Sequence, residues 1–494
     1  MLHRRLIIWM LGICLFLASC TDSSRYVQAL PKDAALVSFV NLSSLFVKSG
    51  LQHGRGEIFA AKLKTALGSG LEGSQQLVER ILQDPSASGL DFSDKLYFFV
   101  GAHSASTGIL IRIADEGKLR DLLNALKEQQ VCEALRESDG CTWTTAGRVL
   151  IAYSDVALLI MAHPQGGNPE DLQHQAAMLL RQGKEEGFVG SPDYEKMHAA
   201  QGNIVTIASL NMLPQKYVAP LTMGMSAELK LQDVKALAVI DFQMGKAVMD
   251  IQTLITDKVI TGQTQKLLES SGNVEGDYLD KFPANTGFWT AANIDGKKIY
   301  ALLNENPTIS RQFRHSMIPL DFQTIFESIK GDIVLAMPDP LRSRAFIAYA
   351  DVTNRDFLQT FEELKPLLAM TGGQMQLLSQ GEDAYEFRMI DASALNLGTG
   401  PAVFWFGVKD GHFYITNYEE LIGKRVLGLS LRDTKWGGSV EGKRMFAALN
   451  LASVVQGVAY LTFTSPDGLN THLELVMNKQ DVNALQQLLH IAGF

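Results

Sequence analysis

Cys20 is the residue whose surroundings in this sequence specify a reaction. It closes the run Leu17-Ala18-Ser19-Cys20. Arg4 and Arg5 lie in the first five residues, Leu6 to Phe16 is almost wholly apolar, and small residues precede the cysteine. That is the three-part layout of an export signal. It predicts cleavage between Ser19 and Cys20 and acylation of the thiol. Residues 1–19 are then a lipoprotein signal peptide, and residues 20–29 a tether. The apolar run is shorter than the ~20 residues a spanning helix needs, and the polar residues Thr21, Asp22, Ser23 and Ser24 follow at once. A plain secretory signal and an uncleaved helix are the alternatives, and the flanks favour lipidation. Each buried methylene adds about 0.8 kcal/mol of membrane binding, and two or more chains anchor stably. The expected partner is therefore the membrane, through lipid at Cys20, with the body held close by a tether of at most roughly 35 Å.

Of the four cysteines, Cys14 lies in the signal, and only Cys132 and Cys141 belong to the body. Outside the cytoplasm such a pair can oxidise. Ser138-Asp139-Gly140 supplies a turn between them, and a bridge across so short a loop stabilises by a little under ~3 kcal/mol. Two free thiols packed as small apolar groups stand equally open, because the Cα separation decides. The spacing, with no histidine nearby, does not suit zinc.

Other chemistry is sparse. No His-Glu-x-x-His occurs, and the ten histidines are scattered. His412 and His472 sit on strand patterns, where a surface or hydrogen-bonded role is expected. Gly296-Lys297 and Gly423-Lys424 do not close a phosphate-cradling loop, and Gly398-Thr399-Gly400 lacks the third glycine and the helix. No Gly-x-Ser-x-Gly occurs, and Ser271-Gly272-Asn273 has no convincing Ser-x-x-Lys partner upstream. Asp351 to Asp356 has acidic spacing faintly like a calcium loop without its central glycine and final glutamate. It reads as a hairpin exit, with Asn354 a candidate helix cap. These absences point to no catalytic residue, cofactor or metal site. One aromatic group remains: Phe404, Trp405, Phe406, Phe413 and Tyr414, with Trp436 nearby. Trp405 and Trp436 are the candidate ligand-facing aromatics. The favoured reading is that alternate members fill a core, because aromatics are mostly buried, and Phe404 and Trp405 must face opposite sides of a strand.

The elements that must position such residues come in two series. Leu30-Pro31 to Val47 matches Phe282-Pro283 to Ile299, with Pro31 on Pro283 and Asn41 on Asn293. Each gives a proline, a short strand and a helix. Asp94 to Val100 resembles Gly331 to Met337, and Ile111 to Asp115 resembles Ile347 to Asp351. Each hairpin feeds an amphipathic helix, Lys118 to about Arg136 and Asp356 to Leu368. Further hairpins are predicted at Arg148 to Met161 and Val403 to Thr416, where Asp410-Gly411 is a strong turn signal. Blocks beginning at Ser191 and Ser439 follow. Strand pairs are expected near Ala236 to Thr256 and Gly457 to Met477. The order predicts an α+β fold with mainly antiparallel sheets and helices packed on them. It is built as an internal duplication: residues 30–260, a linker at 261–281, and residues 282–494.

With the lipobox-like Leu17 to Cys20, the Leu30 to Phe39 opening and the repeated blocks, the chain resembles a family of large uncharacterised lipoproteins of Bacteroidetes. The resemblance covers nearly the whole mature chain. It implies a cell-envelope lipoprotein at the outer membrane, with no known substrate and no site residues to transfer. Net charge is −9, and loss of residues 1–19 makes it two units more negative, which disfavours nucleic acid as a partner. Some 470 mature residues exceed one core, so two or more domains are expected. The expected function is a non-enzymatic binding or scaffold protein with an unknown protein or glycan partner. The alternatives are a periplasmic hydrolase assembled from distant residues and an accessory subunit of an outer-membrane complex.

Overall fold

The computed structural model describes residues 25–51, 84–102, 106–162, 169–213, 231–314, 320–395 and 399–493. The expected signal segment, residues 1–19, and Cys20 lie outside the described residues. Contacts divide the chain into two compact units, Met1–Ala208 with Gly493–Phe494, and Ser209–Ala492.

In the first unit, Arg25–Ala29 form a 3-10 helix with Tyr26 and Val27 buried. The folded body therefore begins inside the segment expected to be tether. Strand β1 (Ala34–Val40) alternates, burying Ala35, Val37 and Phe39. Asn41 then caps helix α1 (Leu42–Ser49) by accepting from Ser44 N at 3.0 Å, as its short polar side chain suits. Strands β2 (Leu96–Gly101) and β3 (Thr107–Arg112) form a hairpin leading to helix α2 (Glu116–Glu128), capped by Asp115. Leu119 and Leu123 of α2 pack on Ile111, Tyr153 and Leu158. The helix is shorter than its apolar pattern predicts. Gln130 turns to φ 59°, and Val131 N returns to Leu126 O at 2.9 Å, ending the helix.

Strands β4 (Arg136–Ser138), β5 (Cys141–Ala146), β6 (Val149–Tyr153) and β7 (Ala157–Ala162) follow, the first pair joined through Asp139 and Gly140 at φ 52° and 74°. That pair of positive φ values is the geometry of a tight hairpin turn. Helices α3 (Pro169–Arg181) and α4 (Pro192–Ala199, capped by Ser191) lead to β8 (Ile204–Ser209). All pairings are antiparallel, in the order β8-β1-β2-β3-β7-β6-β5-β4.

The second unit opens with the hairpin β9 (Val234–Gln243) and β10 (Lys246–Ile255). The segment read as a linker carries regular structure. Helix α5 (Lys258–Glu269) starts on Asp257, whose carboxylate accepts from Val259 N and Ile260 N, and buries Ile260 and Thr264. The short strand β11 (Ser271–Gly272) follows, then a 3-10 helix at Asp277–Lys281. Strand β12 (Phe288–Asp295) leads into helices α6 (Gly296–Glu305), α7 (Pro307–Arg314) and α8 (Phe322–Ser328). Strands β13 (Ile329–Met337) and β14 (Ile347–Val352) precede helix α9 (Leu358–Ala369). Next come β15 (Met375–Ser379), β16 (Ala384–Met389), β17 (Ala402–Lys409), β18 (His412–Thr416), β19 (Met445–Asn450), β20 (Val458–Ser465), β21 (Asn470–Met477) and helix α10 (Ala484–Ile491).

The antiparallel order is β9-β10-β21-β20-β19-β12-β13-β14-β18-β17-β16-β15, with β11 beside the end of β12. The fold is α+β with antiparallel sheet, as the element order predicts. One core gathers Phe282, Trp289, Val334 and Phe446, and another lies under α9. No helix among the described residues is long and apolar enough to cross a membrane.

Candidate functional site

Strands β14 and β18 pair Ile347 with Thr416, Tyr349 with Tyr414 and Asp351 with His412. Neighbours along a strand point to opposite faces, so these six share one face. Phe413 and Ile415 share the other with Ala348 and Ala350. Strand β17 adds Trp405 opposite Thr416, and Phe406 opposite Ile415. The adjacent pair is thus separated by the pleat, with Trp405 on the first face and Phe404 on the second.

The 3-10 helix Asp277–Lys281 covers part of the first face. Tyr278 donates to Asp351 Oδ1 at 2.6 Å, and its oxygen lies 2.8 Å from His412 Nδ1. His412 Nδ1 is 3.0 Å from the same Asp351 oxygen. Asp351 Oδ2 accepts from Asp332 N at 2.8 Å. The carboxylate of Asp332 accepts from Glu275 N, Gly276 N and Asn293 Nδ2. Burial, then the bond to Asp351, pushes the Tyr278 phenol far above its ordinary range. Burial also raises the Asp332 carboxyl, against the lowering effect of its three donors. A phenol held protonated is a hydrogen-bond donor rather than a base. The network fastens residues 275–281 to the sheet.

Beside this network lies a pocket of about 720 Å³. Phe282, Tyr349 and Tyr414 provide aromatic wall, and Lys281, Lys409, Lys424 and Arg425 provide cations. Lys281 Nζ sits 4.9 Å from the Tyr278 ring and 5.1 Å from the Tyr349 ring, where burial lowers the pKa of its ammonium. Lys409, Lys424 and Arg425 make no ion pair among the described residues. Two carboxylates also line the pocket, Asp280 and Asp410, and Arg432 Nε donates to Asp280 at 2.7 Å. Part of the wall is the loop Leu421 to Leu427, in which Leu427 is 92% exposed. On the opposite face a second cavity, of about 570 Å³, lies between α9 and the strands.

The residues singled out from sequence are distributed otherwise. Cys20 lies outside the described residues. Cys132 and Cys141 are buried free thiols. Cys132 Sγ is 3.5 Å from Leu123 O, and Cys141 Sγ is 3.5 Å from Ser138 O. Burial raises both thiol pKa values, which leaves little thiolate to react. Trp436 is half-buried, its ring 5.3 Å from Phe446 and 6.1 Å from Trp289. Trp405 is half-buried on β17. Neither tryptophan lines either cavity. His472, like His412, is a hydrogen-bonded sheet residue, 2.6 Å from Asp250. Among the described residues no group of three His, Cys, Asp or Glu side chains is placed to hold a metal ion. The pocket cations were missed because they are scattered. The available signal was two basic positions in turns, Lys409 before Asp410-Gly411 and Lys424-Arg425 after Gly423.

The family model described as Domain of unknown function (DUF4836) matches residues 26–462. No curated protein matches the chain. Among solved structures, crystal forms IV, I and III of TP0453 are similar at 9%, 9% and 10% identity with TM-scores of 0.27, 0.27 and 0.26. They cover 46%, 52% and 51% of this chain and 79%, 88% and 89% of that one. The chain belongs to the DUF4836 family, on a match spanning most of its length.

Proposed function

For a member of this uncharacterised family, we propose a non-enzymatic, lipid-anchored cell-envelope protein that binds an anionic glycan in the second unit's basic pocket. The observation that carries the reading is the pocket itself. Four cations meet two carboxylates there, one of them already engaged by Arg432, in a chain whose net charge is −9. Sugar rings pack against aromatic edges as well as faces, and half-buried Tyr349, stacked on Tyr278, offers its remaining surface to the pocket. Acidic substituents pair with Lys and Arg through charge-assisted hydrogen bonds. A pocket with aromatic walls and a few placed polar groups is the usual form of a small-ligand site. The Tyr278, Asp351 and His412 cluster beside it ties the 3-10 helix Asp277–Lys281 to the sheet by hydrogen bonds and so supports a fixed pocket wall.

The address rests on the residues before the body. The run ending at Cys20 and its flanks support an acylated cysteine in a Bacteroidetes-type lipoprotein, at the outer membrane. Duplication is the second part of the reading. Tyr26 and Tyr278 share the sequence offset of Pro31 and Pro283. Each tyrosine is buried in a 3-10 helix and donates to an aspartate, but the strand correspondence does not equate the two acceptors, Asp94 before β2 and Asp351 on β14. Pro31 bridges Gly187, and Pro283 bridges Ser430. The series β8-β1-β2-β3-β7-β6-β5-β4 corresponds strand for strand to β19-β12-β13-β14-β18-β17-β16-β15. The hairpin β9-β10 corresponds to β20-β21, and β10 pairs with β21.

Calorimetric titration with a tetragalacturonate, set against neutral maltotetraose, tests the pocket. Binding of the acidic sugar alone is expected. It should weaken with added salt and fall at least tenfold in the triple variant Lys409→Glu, Lys424→Glu, Arg425→Glu. Equal binding of both sugars, no binding of either, or an unaffected triple variant would remove the proposal.

A further inference from the structure

The face of β14, β18 and β17 that turns away from the basic pocket carries a different kind of cavity. Its volume is about 570 Å³, inside the ~300–1,000 Å³ of sites that enclose a small ligand. The space is a groove open to solvent along one side, with an apolar floor, rather than a sealed void. Phe361, Leu364 and Leu368 of α9 close one side, and the sheet offers Phe387, Phe404 and Phe413, among others, on the other. The walls are apolar except at Arg344 and Asn417.

Those two polar residues sit together where β14 begins and β18 ends. Asn417 is committed to the backbone: Oδ1 accepts from Phe346 N at 2.9 Å, and Nδ2 donates to Arg344 O at 2.9 Å. That grip holds Arg344 at the cavity. Arg344 is exposed, so the cavity reaches the surface there. Its guanidinium makes no ion pair or hydrogen bond among the described residues.

We propose that this cavity binds one long-chain fatty acid, its acyl chain among the phenylalanines and its carboxylate on the Arg344 guanidinium. The charge pattern selects this occupant. Among the described residues one unpaired cation stands at the rim of this apolar space, which complements a single negative head on one apolar chain. A guanidinium pairs a carboxylate through two parallel hydrogen bonds, and a neutral head would leave it unpaired. The site is separate from the basic pocket and stands or falls without it.

Nuclear magnetic resonance of [1-13C]palmitate with the purified full-length protein provides the test. One saturable bound carboxyl resonance per chain is expected. Across laurate, myristate and palmitate on the wild-type protein, affinity should rise about fourfold per added methylene. Arg344→Ala should weaken palmitate about tenfold and leave hexadecanol unchanged. Leu364→Trp should push an indole into the acyl-chain path and weaken palmitate binding at least tenfold. The chain-length series keeps the test decisive if that variant does not fold. Absence of saturable binding, affinity indifferent to chain length, or hexadecanol bound as tightly as palmitate would overturn the proposal. Tighter binding of lysophosphatidylcholine than of palmitate would equally overturn the carboxylate assignment.

Discussion

Arg432 ties the segment around Tyr278, 152–156 residues earlier in the chain, to nearby Glu441. It donates to Asp280 Oδ2 at 2.7 Å, Glu441 Oε1 at 2.9 Å and Gly276 O at 3.0 Å. These bonds clamp the start and end of the segment that carries Tyr278. The bond from Arg432 comes first among the causes that hold the Asp280 carboxyl below its usual range. A carboxylate with a lowered folded pKa contributes stability above its unfolded value, near ~3.9, and loses it as pH falls through the folded value. Arg432→Ala is expected to cost about 1 kcal/mol at pH 7, a figure kept small because the pair is exposed and screened. The difference from wild type should shrink below about pH 4, where Asp280 begins to protonate in the unfolded chain. Urea denaturation at pH 7 and pH 2.5 measures both. An equal difference at the two pH values would assign the loss to packing instead.

At the scale of elements, two helical glycines make opposite predictions. Gly296 opens α6, and a Cβ there would lie 1.9 Å from Phe326 O of α8. No side chain can yield, because the obstacle is backbone. The two helices meet through the rings of Tyr300 and Phe326, 5.9 Å apart, so displacing one disturbs that contact. Gly296→Ala should destabilise by about 1–3 kcal/mol. Gly262 lies inside α5 with nothing within 4 Å of its would-be Cβ. Gly262→Ala should stabilise by roughly 0.5–1 kcal/mol, because alanine loses less freedom on entering a helix. Thermal denaturation of both variants checks the pair. A stable Gly296→Ala would mean that α6 and α8 are not in contact as described.

For the whole molecule the decisive residue is Cys20. The body is acidic, and among its described residues no helix is suited to crossing a bilayer. On the proposed reading, attachment comes from acyl chains, whose combined burial makes a stable anchor. Cys20→Ala is expected to move the protein from the membrane pellet to the soluble fraction. Retention of the variant on membranes at the wild-type level would refute the anchor. The contact boundary between Ala208 and Ser209 does not coincide with the repeat boundary read from sequence at 261–281. The hairpin β9-β10 belongs to the second unit's sheet through the pairing of β10 with β21. On the proposed duplication, its repeat membership and its packing membership differ.

Local chemistry made much of this architecture legible before any coordinates. Asp410-Gly411 adopts φ 53° and 80°, a turn that the residue types alone dictate. Caps were less legible: Asn354 accepts from Asp356 N but does not cap α9, whereas Asn41, Asp115 and Ser191 cap helices by satisfying free amide groups at helix starts. The alternation of β1 declares its buried face. The strand periods separate Phe404 from Trp405, but they do not say which of the two faces a core. That choice fell to α9, which packs on the Phe406 side. The basic pocket was not legible either. Lys281, Tyr349, Lys409 and Arg425 are brought together only by pairing β14 with β18 and laying the 3-10 helix Asp277–Lys281 across them. The same holds for the apolar cavity, whose rim needs Asn417 to hold Arg344 across two strands. Turn, cap and alternation are fixed within a few residues of chain. A pocket is a relation among strands distant in sequence, and it exists only after they have paired.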